Sequence, residues 1–493
     1  MSLADLLLAH PFADASPLLH TAERSVTAGE SRALVSTLAE RLRAAGVRPG
    51  AAVGVRLPNG PEIVLAMAAI WTLDAVFVPV NAAAPAPEAA HVLAVAQPVA
   101  LIEPDPAAPS DPALPVALDV RRLGAPGTGR TYAPGTAFVT WTSGTTGPPK
   151  AILHTHDGYL ELLDRVLGPL RGRGPAGRPP SPNLIPVSLA LNSGIYNALF
   201  GLRAGAALVI MHRFAPQEFA ELVARFGIRS TVLPPAAIGM LNDSGLEALP
   251  PLRYVRSITA PLPPLQARRF TERFGAFVLN SYGQAELGEV IGWTAADAKA
   301  HPEKVGAAGR PLPGVAVRVA APAGQIGPLR VRPPRRASGY ATGEDLADRI
   351  DADGYVDTGD LARIDADGFV WIVGRAGDVI NRGGNKVYPE QVEDVLRLHP
   401  AVADAAVAGE PDDRLGEVPV AFVVDAGPRA TNEELAALCR EHLTPYKVPV
   451  AFHRVDALPR TEVGKVRRAD LTGGAAGQRP GGPQPSPESE DGG

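Results

Sequence analysis

Cysteine is nearly missing from this chain: among 493 residues Cys439 is the only one. An intramolecular disulfide is therefore excluded, and the expected location is the reducing cytoplasm. Lysine is scarce as well. The basic residues are nearly all arginine, and lysine stands only at Lys150, Lys299, Lys304, Lys386, Lys447 and Lys465. In such a chain a lysine in a glycine-containing loop stands out, because it supplies a compact point charge that arginine does not. A strong charge bias is lacking too. The formal net charge of -5 argues against nucleic acid or an anionic membrane as the main partner. The most apolar run, residues 63–73, is broken by Thr72 and closed by Asp74, so no membrane span is expected. Residues 1–8 carry Asp5 rather than a basic cluster and do not read as a secretory signal. A hydrophobic content of 46% with 20% charged residues is that of a globular protein, long enough for a large domain and at least one smaller one.

The stretch least compatible with a packed interior is residues 141–150. It follows a strand-like run, Thr136, Ala137, Phe138, Val139 and Thr140, and places the hydroxyls of Thr142, Ser143, Thr145 and Thr146 around Gly144 and Gly147 before Lys150. Glycine lets backbone N–H groups approach an anion, the hydroxyls add donors, and Lys150 adds a full positive charge. Together they describe a polyphosphate cradle. Pro148 and Pro149 separate the second glycine from the lysine, which distinguishes this loop from the common P-loop.

Elsewhere helical and strand-like periodicities alternate. Residues 31–45, 61–73, 158–167, 215–226 and 264–274 read as helices; residues 51–57, 75–80, 228–233, 254–258 and 276–279 read as strands. Such alternation predicts α/β architecture, with parallel sheet covered by helices and ligands beyond the carboxyl ends of strands. Two loops meet that condition, residues 257–262 and residues 280–286. In the second, Tyr282 suits stacking on a base and Glu286 suits a magnesium ion shared with phosphates. Residues 353–375 carry Asp-Gly turns at 353–354 and 367–368, and Asp360 between them is expected on a tight turn, placed to accept ribose hydroxyls. Proline-rich residues 104–115 and the Gly/Pro/Arg-rich residues 171–182 are expected to be surface loops. The expected organisation is a large domain of sheets layered with helices at 1–375, a small mobile α+β domain at 376–471, and a disordered tail at 472–493.

Taken in order, these loops resemble the acyl-adenylate-forming superfamily of acyl-CoA synthetases, aryl-CoA ligases, luciferases and peptide-synthetase adenylation domains. The resemblance runs from about residue 20 to 470. It is carried by the phosphate loop 142–150; by Tyr282, Gly283, Gln284, Ala285 and Glu286; by residues 306–314; by Thr358, Gly359 and Asp360; by Gly374 and Arg375; and by residues 459–465 ending in Lys465. It implies that a carboxylate attacks the α-phosphorus of ATP, pyrophosphate leaves, and an acyl-AMP anhydride remains for a thiol, with coenzyme A the expected acceptor and a carrier protein the other. By the same resemblance residues 142–147 and Lys150 hold phosphates, with Thr145 in the catalytic set. Glu286 takes Mg2+, Tyr282 the adenine face with Gly283, Gln284 and Ala260 beside it, and Asp360 and Arg375 the ribose. Lys465 takes the charge developing between nucleophile and α-phosphate, on a small domain that closes and later rotates.

Departures from the family pattern carry further expectations. Ala285 replaces the usual threonine, and Gly377 the usual Asp or Lys of the hinge. Ile258 and Thr259 replace a Gly-Gly pair before Ala260, which should shorten the acyl tunnel. Residues 186–194 lack the usual histidine or aromatic, leaving Asn192 and Ser193, with Ser281, as expected pocket residues. The expected acid is small or aromatic. Two other readings stay open: a diazotase that activates nitrite as an AMP anhydride, and a nucleotide-binding protein without turnover.

Overall fold

The computed structural model describes residues 2–105, 117–124, 129–141, 150–168, 180–337, 339–341, 346–461 and 464–475. The expected phosphate-loop residues Thr142, Ser143, Gly144, Thr145, Thr146 and Gly147 lie outside them, as do most of the proline-rich and Gly/Pro/Arg-rich stretches. Two compact units emerge, Met1–Val373 and Gly374–Gly493. The architecture is α/β, a large amino-terminal domain and a small carboxy-terminal one.

Local chemistry accounts for the helices of the large unit. Thr27 and Glu30 form a reciprocal capping box that starts the Ala28–Ala44 helix, three residues before the apolar periodicity begins. Pro61 opens the Pro61–Trp71 helix, which is buried along its whole length. The Pro216–Phe226 and Pro264–Phe274 helices stop at Gly227 and Gly275, whose φ of 62° and 65° no β-branched residue adopts cheaply. Phe219, Leu222 and Phe270 from these helices pack on Leu233 and Val255 of the sheet. Each such side chain removed from water stabilises by about 1.5–3 kcal/mol.

The sheet strands run as the alternation requires. Ser230–Leu233, Tyr254–Ser257 and the first half of Phe277–Gln284 are parallel neighbours, pairing Leu233 with Ser257 and Ser257 with Asn280. The parallel pairing therefore ends level, at Ser257 and Asn280, and the two candidate segments continue from adjacent positions. A second sheet holds Thr136–Trp141 beside Ala151–Thr155 in antiparallel pairing, the strands that flank residues 142–149.

Two expectations are corrected. Residues 280–284 are strand rather than loop: Phe277–Gln284 continues into an antiparallel hairpin with Gly288–Gly292. A Cβ on Gly283 would meet the Gly288 carbonyl oxygen at 2.3 Å, so this glycine permits the hairpin's close approach. Asp360 is not on a tight turn but within the Val356–Ile364 strand. The register against Gly327–Arg332 shifts there, and Gly359 has φ 72°, so a bulge supplies the bend that a turn was expected to give.

The small unit is built on the antiparallel Val402–Asp412 and Gly416–Asp425 strands, with Ala451–Arg454 parallel to the second. Gly383 and Gly384, at φ 56° and 87°, turn the Ile380–Arg382 and Asn385–Val387 hairpin. Val392, Leu396, Leu435 and Cys439 seal its helices onto the sheet. Burial pushes the Cys439 thiol up to about 11, which makes it a packing residue and not a nucleophile. The Arg468–Ala475 helix carries regular structure past Leu471, four residues into the segment expected as tail.

Candidate active site

The bulge at Gly359 sets Asp360 into the large unit with only 6% of its surface exposed. A carboxylate so buried needs donors, and neighbouring strands provide them. The Tyr282 hydroxyl donates to its Oδ2 at 2.5 Å and the Gln284 amide to the same oxygen at 3.0 Å. Gln284 also donates to the Thr358 carbonyl at 2.7 Å, and its own Oε1 accepts from Arg349 at 3.2 Å. Tyr282, Gln284 and Asp360, about eighty positions apart along the chain, thus form one network. Its cause is the alternation of side chains, which puts Tyr282 and Gln284 on the same face of their strand.

Glu286 follows at the turn of the hairpin and is 8% exposed. Tyr340 donates to its Oε1 at 2.9 Å, and the Arg349 guanidinium lies 3.7 Å away. Burial, then the Glu286 carboxylate, push the Tyr340 phenol up to about 12, so it remains a donor. The Lys150 ammonium sits 5.4 Å above the ring of the same tyrosine. Lys150, Tyr340 and Glu286 therefore line up where the Ala151–Thr155 and Gly339–Tyr340 strands pair. Beside them His154 is enclosed, stacked on Phe138 and hydrogen-bonded to Thr140 at 2.8 Å. Burial takes its pKa down to about 3, which makes it a neutral wall.

Of the expected pocket residues, Ile258, Thr259 and Ser281 follow the ends of the parallel strand pairing. Ser281 donates to the Ser257 carbonyl at 3.2 Å, one residue before Ile258. Thr259 occupies the left-handed region at φ 85°, and its Oγ1 is buried with no hydrogen-bond partner. This is the position at which glycine was expected, and the backbone keeps the glycine conformation although the side chain has changed. Ala260 follows directly, partly exposed. Asn192 accepts from Tyr159 at 3.1 Å, and the Ser193 carbonyl accepts from Asn197, both at the start of the Asn192–Arg203 helix. Ala285, which lacks the expected hydroxyl, packs against Ile152, Tyr340 and Leu346.

In the small unit Lys465 closes a turn: its amide donates to Thr461 Oγ1 at 3.2 Å, and Gly464 there has φ 83°. Arg375 ends the Val370–Arg375 strand with its side chain exposed. Gly374 precedes it at φ 146°, and a Cβ there would meet Glu390 Oε2 at 2.3 Å. Gly377, the substituted hinge position, is in a short 3-10 turn with open space around its Cα.

Residues 10–341 match the family model described as AMP-binding enzyme, and residues 391–465 match that of the AMP-binding enzyme C-terminal domain. The chain belongs to the AMP-binding enzyme family. This AMP-binding enzyme is 31% identical to a sulfoacetate–CoA ligase of Cupriavidus necator, covering 91% of this chain and 92% of the relative. It is 32% identical to a feruloyl-CoA synthase of an Amycolatopsis species, covering 91% and 93%. Among solved structures it superposes on the amide bond synthetase McbA of Marinactinospora thermotolerans at TM-score 0.81 and 28% identity, over 96% of this chain and 99% of the other. It also superposes on the o-succinylbenzoate CoA synthetase of Bacillus subtilis, in complex with its acyl-adenylate, at TM-score 0.81 and 25% identity, over 96% and 98%. It is therefore an adenylate-forming enzyme of the acid–CoA ligase type, which removes the reading without turnover. The diazotase reading gains nothing from these relatives. Among the described residues no helix is long and apolar enough to cross a membrane.

Residues that sequence reasoning passed over complete the site. Arg349 reaches both Gln284 and Glu286, and Tyr340 holds Glu286, yet neither belongs to a spaced motif. Their signal is tertiary.

Proposed function

We propose that this AMP-binding enzyme activates a small or aromatic carboxylic acid with ATP and passes the acyl group to coenzyme A. The observation that carries the reading is the buried Asp360 carboxylate, clamped by Tyr282 and Gln284 beside the level carboxyl ends of a parallel sheet. Bound there, a ribose would find an acceptor whose orientation is fixed before it arrives, so little ordering remains to be done on binding. The substrate carboxylate oxygen forms a bond to the α-phosphorus while the bond to the pyrophosphate oxygen breaks. The thiol sulfur then bonds the acyl carbon, AMP leaves, and the thiol proton passes to solvent. Two anions approach each other in the first step, so positive charge and positioning supply most of the rate. Lys150 and Lys465 are the cations proposed for this work, the second on the developing charge at the α-phosphate.

Glu286 fits a magnesium ion as one carboxylate ligand. Among the described residues no group of three or more His, Cys, Asp or Glu side chains gathers to hold a metal. A single carboxylate completed by phosphate oxygens and water is the usual way magnesium is bound. When bound, the ion neutralises charge on the leaving pyrophosphate. Tyr340 and Arg349 orient the Glu286 carboxylate for that role.

The test is pyrophosphate release against a panel of aliphatic and aromatic acids, with the thioester identified by mass. The reading expects release that depends on ATP and acid, and multiple turnovers only with coenzyme A. Silence across the panel, or sustained acid-dependent turnover that yields no thioester, overturns it.

A further inference from the structure

Outside the nucleotide network, the Tyr254–Ser257 strand, the Gly288–Gly292 strand and the Asn192–Arg203 helix meet at a second buried polar cluster. Arg256 Nη1 donates to Glu289 Oε1, and the Tyr196 hydroxyl donates to Glu289 Oε2 at 3.2 Å. The Arg256 side chain is 17% exposed and that of Glu289 8%. The Tyr196 phenol is raised well above its ordinary range by burial, then by Glu289, so it stays a donor that fixes the carboxylate. Among the described residues the other cation facing this cluster is Arg165, whose guanidinium is 3.4 Å from the Glu289 backbone carbonyl and pairs with Glu161 at 3.0 Å. Each buried cation here has its own carboxylate, and the cluster carries no net charge.

Its position adjoins residues expected to line the acyl site. Arg256 immediately precedes Ser257, whose carbonyl accepts from Ser281. A Cβ built on Gly292 would meet Glu289 Oε1 at 3.1 Å and Leu312 Cδ2 and the Ser281 Cβ at 3.6 Å, so the Glu289 carboxylate and Ser281 both pack around this one glycine. We propose that Glu289 sets the acid specificity by neutralising Arg256 where the acyl site ends, restricting the enzyme to monoanionic acids whose far end carries no charge. The proposal rests on the ligase reading above. A second anion on the substrate would meet the Glu289 carboxylate and an arginine already engaged. A distal cation would meet an engaged carboxylate beside Arg256. An uncharged tail leaves the pair intact, and breaking a buried pair costs far more than the pair itself contributes.

Two variants read the proposal with opposite signs. Glu289→Gln keeps shape and one acceptor for Arg256, with its amide N–H donating to the Tyr196 oxygen in reverse, but leaves Arg256 uncompensated; Arg256→Gln leaves Glu289 uncompensated. Butyrate, succinate, sulfoacetate and 4-aminobutyrate serve as matched probes, read by kcat/KM for pyrophosphate release and by melting temperature with each acid present. The expected wild-type order is butyrate well above the charged acids. Glu289→Gln should raise the succinate-to-butyrate and sulfoacetate-to-butyrate ratios on the order of tenfold or more, and Arg256→Gln should do so for 4-aminobutyrate. Ratios within about twofold of wild type in both variants, or a wild type that prefers a diacid, overturn the proposal. If the wild type releases no pyrophosphate with any acid, the ligase reading fails. The melting shift still decides the specificity: succinate stabilises Glu289→Gln but not the wild type if the charge argument holds, and stabilises both or neither if it does not.

Discussion

The hydroxyl of Tyr282 donates to Asp360 at 2.5 Å, joining a hairpin strand to a bulged strand across seventy-eight positions of chain. A hydrogen bond to a charged acceptor is worth about 1.5–3 kcal/mol when its partner is lost, although Gln284 stays in place to share the load. Tyr282→Phe should therefore raise the KM for ATP roughly five- to thirtyfold and leave the KM for the acid little changed. Initial-rate kinetics with each substrate varied in turn separate the two constants. An equal rise in both would move the network away from the nucleotide.

Lys465 is held at the backbone by Thr461, in a turn that requires the positive φ of Gly464. Its replacement by alanine removes a charge without disturbing that turn. The expected result is a loss of acyl-AMP formation of about a hundredfold or more, with thioester formation from preformed acyl-AMP and coenzyme A largely retained. Unchanged pyrophosphate release in this variant would falsify the role proposed for the lysine.

Thr259 combines a left-handed backbone with a buried hydroxyl that lacks a partner. Both are unfavourable, by about 1 kcal/mol or more each. Thr259→Gly should thus raise the melting temperature by about one to two degrees despite the usual entropic cost of glycine, about 1 kcal/mol. Ile258→Gly tests the neighbouring side chain: it should extend acceptance to longer acids. A parent-like substrate profile would show that Ile258 does not limit the tunnel.

In the small unit Glu390 lies between Arg468, at 3.2 Å, and the backbone of Gly374. Burial raises its carboxyl to about 7, with Arg468 pulling the other way and Glu393 adding to the rise. An unfolded glutamate releases its proton near 4.3. Between roughly pH 4.5 and 7 the folded chain therefore holds a proton that the unfolded chain has lost, so this group's contribution to stability falls as pH rises and levels off above 7. Calorimetry across pH 5–8 should show that slope in the wild type and a flatter one in Glu390→Gln. Superimposable profiles would remove Glu390 as its source.

The order of elements, their α/β class and the glycine stops at Gly227 and Gly275 were legible in the residues, because they depend on neighbours within a few positions: apolar period, caps and positive φ. So were Tyr282, Glu286 and Asp360 as candidates, because they stand in short ordered motifs that resemble those of the adenylate-forming family. Local patterns did not reveal that residues 280–284 extend a strand, or that Asp360 sits on a bulge within one. Strand pairing there is decided by partners tens of residues away. Arg349, Tyr340, Glu289 and Arg256 were silent for the same reason. A lone arginine or tyrosine carries no pattern, and only packing determines which carboxylate it faces. The sequence determined which chemistry the chain is equipped for; the tertiary structure decided which charges are cancelled and which remain available to a substrate, since that balance is set by distance through space.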